Sequence, residues 1–463
     1  MQLLKGDINE IWGKGKLKNF FAPVAISSLV VFRIVFGAIM LWEVTRYFKY
    51  EWIYRYWVEP DFNFSYAPFN FQPLPEQYMY MLWYALGGLA IFILIGFLYR
   101  ISTALFFILF SYTFLLEQAR YLNHFYLVVI LSFIMILLPA HKSFSLDSVL
   151  FKKIRSSVAP NWSLWLVRFT IAVPYFFGGI AKINPDWLRG YPMANWLLSD
   201  MDFPIIGQYF DQRWMVMLMS YSGMLLDLLI VPALLFKRTR LMALIVISLF
   251  HLMNDQLFTI GIFPWFMMLA SSIYFAPDWP KRLVAKVTRT HIQAKSVIKD
   301  FKVPSLKVQK GILFGLALFA LILILTPFRH LVIPGNVHWT EEGHRYSWHM
   351  KLRGKSGITR FYVEDENTAE RIQVPLEDFI EEWQANKMDG KPYMIWELAQ
   401  HIKDEFRIMG SNVGVYVDAW ASLNGRAYQQ LIEPNFDITQ VPKPWFGNAD
   451  WILPLTIPLE NQR

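Results

Sequence analysis

Lys182 stands at the end of a long apolar run, in Tyr175-Phe176-Phe177-Gly178-Gly179-Ile180-Ala181-Lys182-Ile183-Asn184-Pro185-Asp186-Trp187. Burial disfavours a charged amine, which loses its hydration. A neutral lysine so placed can serve as a general base. The plainer alternative is an anchor that snorkels to a membrane interface. His124 follows Asn123 at the start of another apolar run, and His251 precedes Asn254, Asp255 and Gln256 at the end of a third. Taken singly, a histidine at a helix end is more often an interface or capping residue. Their shared side argues for more: Lys182, His124, His251 and Asn254 are placed at one membrane depth, as a polar site opening outward beside an apolar pocket.

Charged residues inside apolar runs are costly and are therefore functional candidates. Arg33 and Arg168 lie in the first and fifth runs, and Asp227 in the sixth. Interhelical ion pairing is the structural reading of such residues, with Asp227 paired to one of the two arginines. His330, His338, His344 and His349 crowd one later stretch. To hold a metal they would have to converge, with orienting partners behind them. Their spacing matches no known ligand pattern, and no metal is expected. The sequence has no cysteine, which excludes disulfides, thiolate chemistry, Cys-ligated iron–sulfur clusters and Cys-type zinc sites. It has no Walker-type loop, glycine-rich dinucleotide fingerprint, HExxH or G-x-S-x-G. ATP-driven transport and the common hydrolase chemistries therefore find no support.

The elements that must carry these side chains read as membrane helices. Of 463 residues, 55% are hydrophobic and 17% charged, whereas a typical soluble domain is about 25% charged. Nine apolar runs fall near Ala25–Tyr47, Tyr78–Leu98, Ile101–Leu116, Phe125–Leu138, Trp162–Ala181, Trp214–Leu235, Leu241–Met253, Leu257–Phe275 and Gly311–Leu325. About twenty apolar residues span a bilayer. A net charge of +8 would favour nucleic acid in a soluble protein. Here the basic residues gather in alternate loops, which fits membrane orientation and no nucleic-acid partner. With the N-terminus inside, the inner loops hold Arg100, then Lys142, Lys152, Lys153 and Arg155, then Lys237, Arg238 and Arg240, then nine Lys or Arg between 276 and 310. The outer loops are near neutral or acidic. No cleavable signal is evident, and residues 1–24, with Lys5, Lys14, Lys16 and Lys18, read as a cytoplasmic amphipathic segment.

The outer loop Tyr47–Tyr80 is dense in aromatic residues. It reads as an interfacial belt or as a cover over an apolar ligand pocket. Beyond Phe328 the pattern turns soluble. Tyr346–Val363, Gln373–Val374, Val413–Ala421 and Tyr428–Thr439 read as strands, Leu376–Lys387 and Met394–Met409 as helices, and Asn424-Gly425 as a hairpin turn. The expected fold is mainly α: a multi-pass membrane helical bundle of about nine spans over residues 25–328, with a C-terminal extracytoplasmic α+β domain over residues 329–463.

At these same residues the sequence resembles the vitamin K-dependent γ-glutamyl carboxylase family and its bacterial membrane relatives. The matching stretches are Asn123-His124-Phe125-Tyr126-Leu127, Tyr175 to Trp187 with Gly190-Tyr191, His251 to Phe258 with Gly261, Ala276-Pro277-Asp278-Trp279-Pro280, Trp339-Thr340, Tyr346-Ser347-Trp348, Asp418-Ala419-Trp420 and Asp437-Ile438. They are collinear through most of the chain.

The resemblance implies an integral membrane enzyme that couples oxygenation of vitamin K hydroquinone to carboxylation of peptide glutamate, with O2 and CO2 as co-substrates. In the family, oxygenation carries the quinone toward its epoxide through a strongly basic alkoxide. That alkoxide takes the glutamate γ-proton, and the carbanion captures carbon dioxide. An amine side chain is too weak for that proton, so the cofactor must supply the base, in a water-poor pocket. Lys182 matches the family's hydroquinone base, and His124 the histidine that assists the carbanion step. His251, Asn254, His330, Tyr346 and Trp348 match or neighbour positions that bind substrate or cofactor. The implied partners are membrane lipid, a quinone and a glutamate-containing protein or peptide. Three departures stand out. The family disulfide cannot form. His344, in Glu342-Gly343-His344, replaces an aromatic residue of animal members, so glutamate selection is expected to differ. Animal members also continue through a long region that contributes to propeptide docking. Two alternatives stand beside the carboxylase: a vitamin K epoxidase without carboxylation, and a non-catalytic quinone- or lipid-binding membrane protein.

Overall fold

A computed structural model describes residues 19–258, 260–289, 301–365, 370–442 and 449–459. The amphipathic segment expected at the N-terminus lies almost wholly outside the described residues.

Among the described residues, the apolar runs fold as helices α1 (Ser27–Lys49), α2 (Glu76–Ile95), α3 (Tyr99–Leu115), α4 (Asn123–Leu137), α5 (Asn161–Ala181), α6 (Arg213–Leu235), α7 (Arg240–Phe258), α8 (Phe263–Ala270) and α9 (Leu306–Phe328). A helix is the form in which a single segment satisfies its own backbone in lipid. Six of these, α1, α2, α5, α6, α7 and α9, are long and apolar enough to cross a membrane. The expected count of about nine spans is not confirmed among the described residues. α3 and α4 are shorter apolar helices. The expected span Leu257–Phe275 is broken: α7 ends at Phe258, Gly261 takes φ +73°, Pro264 opens the eight-residue α8, and a 3-10 turn follows at Ser271–Tyr274. A left-handed glycine followed by a proline in the first helical turn restarts a helix rather than continuing one.

Small residues let the bundle close. A Cβ on Gly37 would lie 2.7 Å from Leu94 N and 2.8 Å from Ala90 O, so this glycine lets α1 and α2 approach backbone to backbone. Phe36, Trp83, Leu131, Val167 and Ile171 belong to the resulting core. Tyr84, Leu241, Leu249 and Phe314 face outward, as a lipid-contacting surface requires.

The C-terminal part builds a four-stranded antiparallel sheet from β3 (Lys355–Asp365), β4 (Arg371–Val374), β5 (Val413–Leu423) and β6 (Gln429–Gln430), in the order β4-β3-β5-β6. Two earlier short strands, β1 (Pro23–Ala25) and β2 (Val158–Pro160), pair with each other beside the bundle. β3 and β5 pair from Lys355↔Leu423 to Asp365↔Val413. Helices α10 (Glu382–Met388) and α11 (Pro392–Ile408) follow β4, and α11 packs on β5. Asn424 and Gly425 form the tight turn the sequence announces, at φ +57° and +86°. Two strand expectations are corrected. Residues 346–351 are no strand, because Tyr346, Trp348 and Lys351 all take positive φ. Within Tyr428–Thr439 only Gln429–Gln430 is strand; further on, Pro434 has no backbone donor, and Asp437 Oδ1 accepts from Val415 N at 3.0 Å.

Part of the aromatic loop is exposed, as at Tyr50, Tyr54 and Phe69, and Tyr47 and Trp57 line a small cavity with Trp83 and Phe125. The loop also packs between bundle and sheet domain: Tyr56 meets Trp383 edge-on and Phe62 stacks on His401. Buried Glu117 ties the layers together. Its carboxylate accepts from Asn63 Nδ2 (3.1 Å), Phe64 N (3.3 Å), Ala119 N (2.8 Å) and Gln384 Nε2 (3.0 Å). Glu117→Ala would strand these donors in a site closed to water. An unsatisfied buried donor costs about 1–3 kcal/mol, so thermal unfolding in detergent should show a loss of at least about 2 kcal/mol, with the sheet domain loosening first.

Candidate active site

Tyr175, Gly178, Gly179 and Lys182 fall on one side of the last two turns of α5. The glycines bare the backbone there. A Cβ on Gly179 would lie 2.8 Å from Leu228 Cγ and 3.0 Å from Leu228 N, so α6 can come this close only against glycine. The approach sets Lys182 on Asp227: Nζ donates to Oδ2 at 2.6 Å and to the Gly178 carbonyl at 3.3 Å. Both side chains are buried, with each residue 6% exposed. The Lys182 ammonium also lies 5.4 Å from the Trp187 ring centroid. Substituting Gly179→Ala should cost about 1–3 kcal/mol through overpacking. Gly88→Ala, where an added Cβ meets nothing within 4 Å, should leave the melting temperature unchanged or raise it.

The expected pairing of Asp227 with an arginine is corrected. Arg33 donates to the carbonyls of Ala140 (2.9 Å) and Phe144 (2.6 Å), and Arg168 to those of Ile273 (3.0 Å) and Phe275 (3.0 Å). Backbone carbonyls take up terminal nitrogens of both guanidinium groups without a carboxylate, while Arg33 Nε stays buried without a partner among the described residues.

Lys182, Asp227, His251 and Asn254 line one cavity, with about 880 Å³ of non-atom space including its open mouth. Its remaining wall is mostly apolar, with Phe250, Phe258, Phe263, Met219, Met253 and Met350 among the lining, and it also carries Ser222 and Lys351. His251 is 3% exposed, and its Nε2 shares a hydrogen bond with Tyr175 Oη at 2.8 Å. His124 lies behind this wall rather than in it. Its ring centroid is 5.9 Å from that of Phe263, and His251 meets the same Phe263 at 6.0 Å. Both histidines therefore meet the same phenylalanine.

Residues 346–351 form a strap along the cavity. Met350 and Lys351 belong to the cavity wall. Tyr346 and Trp348 do not; their rings pack on Tyr126, each with centroids 5.0 Å away. Tyr346 N donates to Tyr121 Oη at 2.7 Å, and Asn123 Nδ2 to the His349 carbonyl at 3.3 Å. Positive φ at Tyr346 (+63°) and Trp348 (+59°) is costly for bulky side chains and persists only where the surroundings hold it.

His330 lies apart from Lys182. It lines a second cavity with His338 and His349, beside Asn184 at the exit of α5. His330 Nδ1 is 2.8 Å from the Pro327 carbonyl. His344 completes a cluster in which its ring is 4.9 Å from that of His349 and 6.0 Å from that of His338. Burial lowers His338 to about 4 and His349 to about 2, with neighbouring cationic groups adding to the effect. Both rings are therefore neutral at physiological pH. Burial pushes Glu341 up, but Arg353 and Lys355 beside it hold its carboxyl below the usual value.

Sequence reasoning missed Asp227 as the partner of Lys182, Tyr175 as the partner of His251, and the meeting of the histidines. Asp227 carried a signal, its cost inside an apolar run. Tyr175 lay in a quoted motif with no role attached.

Fold and cavity define a helical membrane protein in which an ion pair is sunk in an apolar pocket beneath an α+β domain. Residues 21–279 match the family model of the HTTM domain, and residues 308–457 match that of the vitamin K-dependent gamma-carboxylase lumenal domain. The chain belongs to the vitamin K-dependent γ-carboxylase family. No solved structure matches it.

Proposed function

We propose that the chain is an integral membrane vitamin K hydroquinone-dependent enzyme that epoxidises the quinone and carboxylates peptide glutamate. The observation that carries this reading is the Lys182–Asp227 pair, at 2.6 Å, inside an apolar cavity of a carboxylase-family chain. The lining fits a flat apolar ring with hydroxyls: aromatic and thioether side chains take the ring, and thioethers adapt to its shape. In its neutral amine form Lys182 Nζ takes a hydroquinone proton, and Asp227 Oδ2, 2.6 Å away, would hold the ammonium so formed. Tyr175 fixes the His251 ring, so that its free edge and Asn254 can orient the second oxygen. Bound vitamin K hydroquinone supplies, with O2, the base strong enough for a glutamate γ-proton. The apolar wall keeps water from that base. His124, across Phe263, assists at the carbanion, which takes up CO2. Tyr346 and Trp348 hold the strap, and His330 lines the approach from the domain side. In this reading residues 1–24 are cytoplasmic, 25–328 form the membrane domain, and 329–463 lie outside.

A second reading, epoxidation without carboxylation, is favoured by one observation. His344 turns into the histidine cluster, so the Glu342-Gly343-His344 turn is occupied away from the Lys182 cavity. Purified protein in nanodiscs, given reduced vitamin K, O2, labelled bicarbonate and a glutamate peptide, separates the readings. Epoxide with fixed label supports the carboxylase, and epoxide alone supports the second reading. Neither product, with active cofactor controls, leaves a quinone-binding protein.

A further inference from the structure

We propose that His338, His344 and His349 form a transition-metal site, of the zinc class, that clasps the strap 346–351 to the sheet domain. One ligand nitrogen from each of the three lies within 4.8 Å of the others. His338 Nδ1, His344 Nε2 and His349 Nδ1 are all buried without a hydrogen-bond partner among the described residues. Buried polar nitrogens are normally satisfied, and three rings that meet, each with one unpartnered buried nitrogen, are what an imidazole-bound ion would satisfy together.

Local structure brings the three rings to one place. His338 sits on the short helix Val337–Thr340, whose cap is Asn336. His344 follows Gly343, which takes φ +77° and where a Cβ would lie 2.7 Å from His330 Cβ. Only glycine allows the turn to lie against His330. His349 belongs to the strap, and its carbonyl is tied to Asn123.

An orienting partner is also present. Glu341 Oε2 lies 3.8 Å from His344 Nδ1, near it but beyond hydrogen-bond distance, and the opposite nitrogen, Nε2, is unpartnered. A carboxylate behind a ligating histidine is the usual second layer of a metal site. Glu341 is itself gripped by Arg353, whose Nη2 donates to Oε2 at 2.7 Å. Arg353 Nη1 also donates to the His338 carbonyl at 2.8 Å, so Glu341 and the backbone of His338 share one support.

Three neutral imidazoles with no thiolate suit Zn²⁺ and other borderline transition metals over Mg²⁺ or Ca²⁺. Three-histidine zinc sites keep a further position for water or another ligand. His330 borders the cluster, its ring centroid 5.0 Å from that of His349. This inference does not depend on the vitamin K reading. It concerns how the strap is held, whatever the Lys182 cavity contains.

The test uses tag-free, full-length protein in detergent, stripped with a chelator and dialysed against Co²⁺ or Zn²⁺. Wild type should retain close to one ion per chain and, with Co²⁺, give the visible absorption of a low-symmetry imidazole site. His338→Gln with His344→Phe should lose the bound ion while remaining monodisperse. Glu341→Gln should retain it with affinity weakened about 10–100-fold. Chelation should speed proteolysis or hydrogen exchange in residues 346–351. Wild type that binds no ion above background, or a double variant that binds as wild type does, overturns the proposal.

Discussion

Lys182→Ala is expected to lower vitamin K epoxide formation by about 10²–10⁴-fold, the range for removing a positioned general base, and carboxylation should fall with it. Loss of the amine also leaves Asp227 buried and unpaired. Breaking a buried ion pair from one side costs about 3–5 kcal/mol, so a loss of activity could reflect a loss of fold. Lys182→Ala combined with Asp227→Ala removes both charges and should recover most of that stability. The account requires the double variant to be folded and still inactive. If activity returned with stability, Lys182 would be a structural counter-ion to Asp227 and the chemistry would lie elsewhere.

His124→Ala is expected to act on one product only. His124 meets Phe263 but is not among the residues lining the Lys182–Asp227 cavity. Fixation of labelled bicarbonate into peptide should fall about 10²-fold, while epoxide stays within about threefold of wild type. Scoring both products from one reaction checks this. An equal fall in both would place His124 at the quinone step. No fall in carboxylation would remove His124 from the site.

The sequence announces much of the bundle because apolar length and loop charge are local properties. Each of the nine runs contains helix, and Asn424-Gly425 turns as its composition requires. Lys182, His251 and Asn254 do share a cavity. Adjacency between helices is harder to read, since spacing gives depth along one helix and not its offset against the next. Asp227 falls in the second half of α6, yet it meets Lys182 just past the end of α5. Pairing it with an arginine inside another span therefore misses the lysine at a helix end. The strap was read as strand because Tyr346, Ser347 and Trp348 have strand-forming composition. The left-handed backbone at Tyr346 and Trp348 goes with packing on Tyr121 and Tyr126, which leaves no local mark. The histidines converge for a similar reason: three short segments meet through Gly343 and the strap, and a linear ligand pattern does not describe that meeting.

The central claim is that reduced vitamin K occupies the cavity holding Lys182, Asp227 and His251. A photoreactive naphthoquinone, irradiated with the protein in nanodiscs and mapped by mass spectrometry, tests it most directly. The account predicts label in the segments 219–227, 250–258 or 350–351, competed away by vitamin K. Label confined to other segments, with these three unmodified, would contradict it.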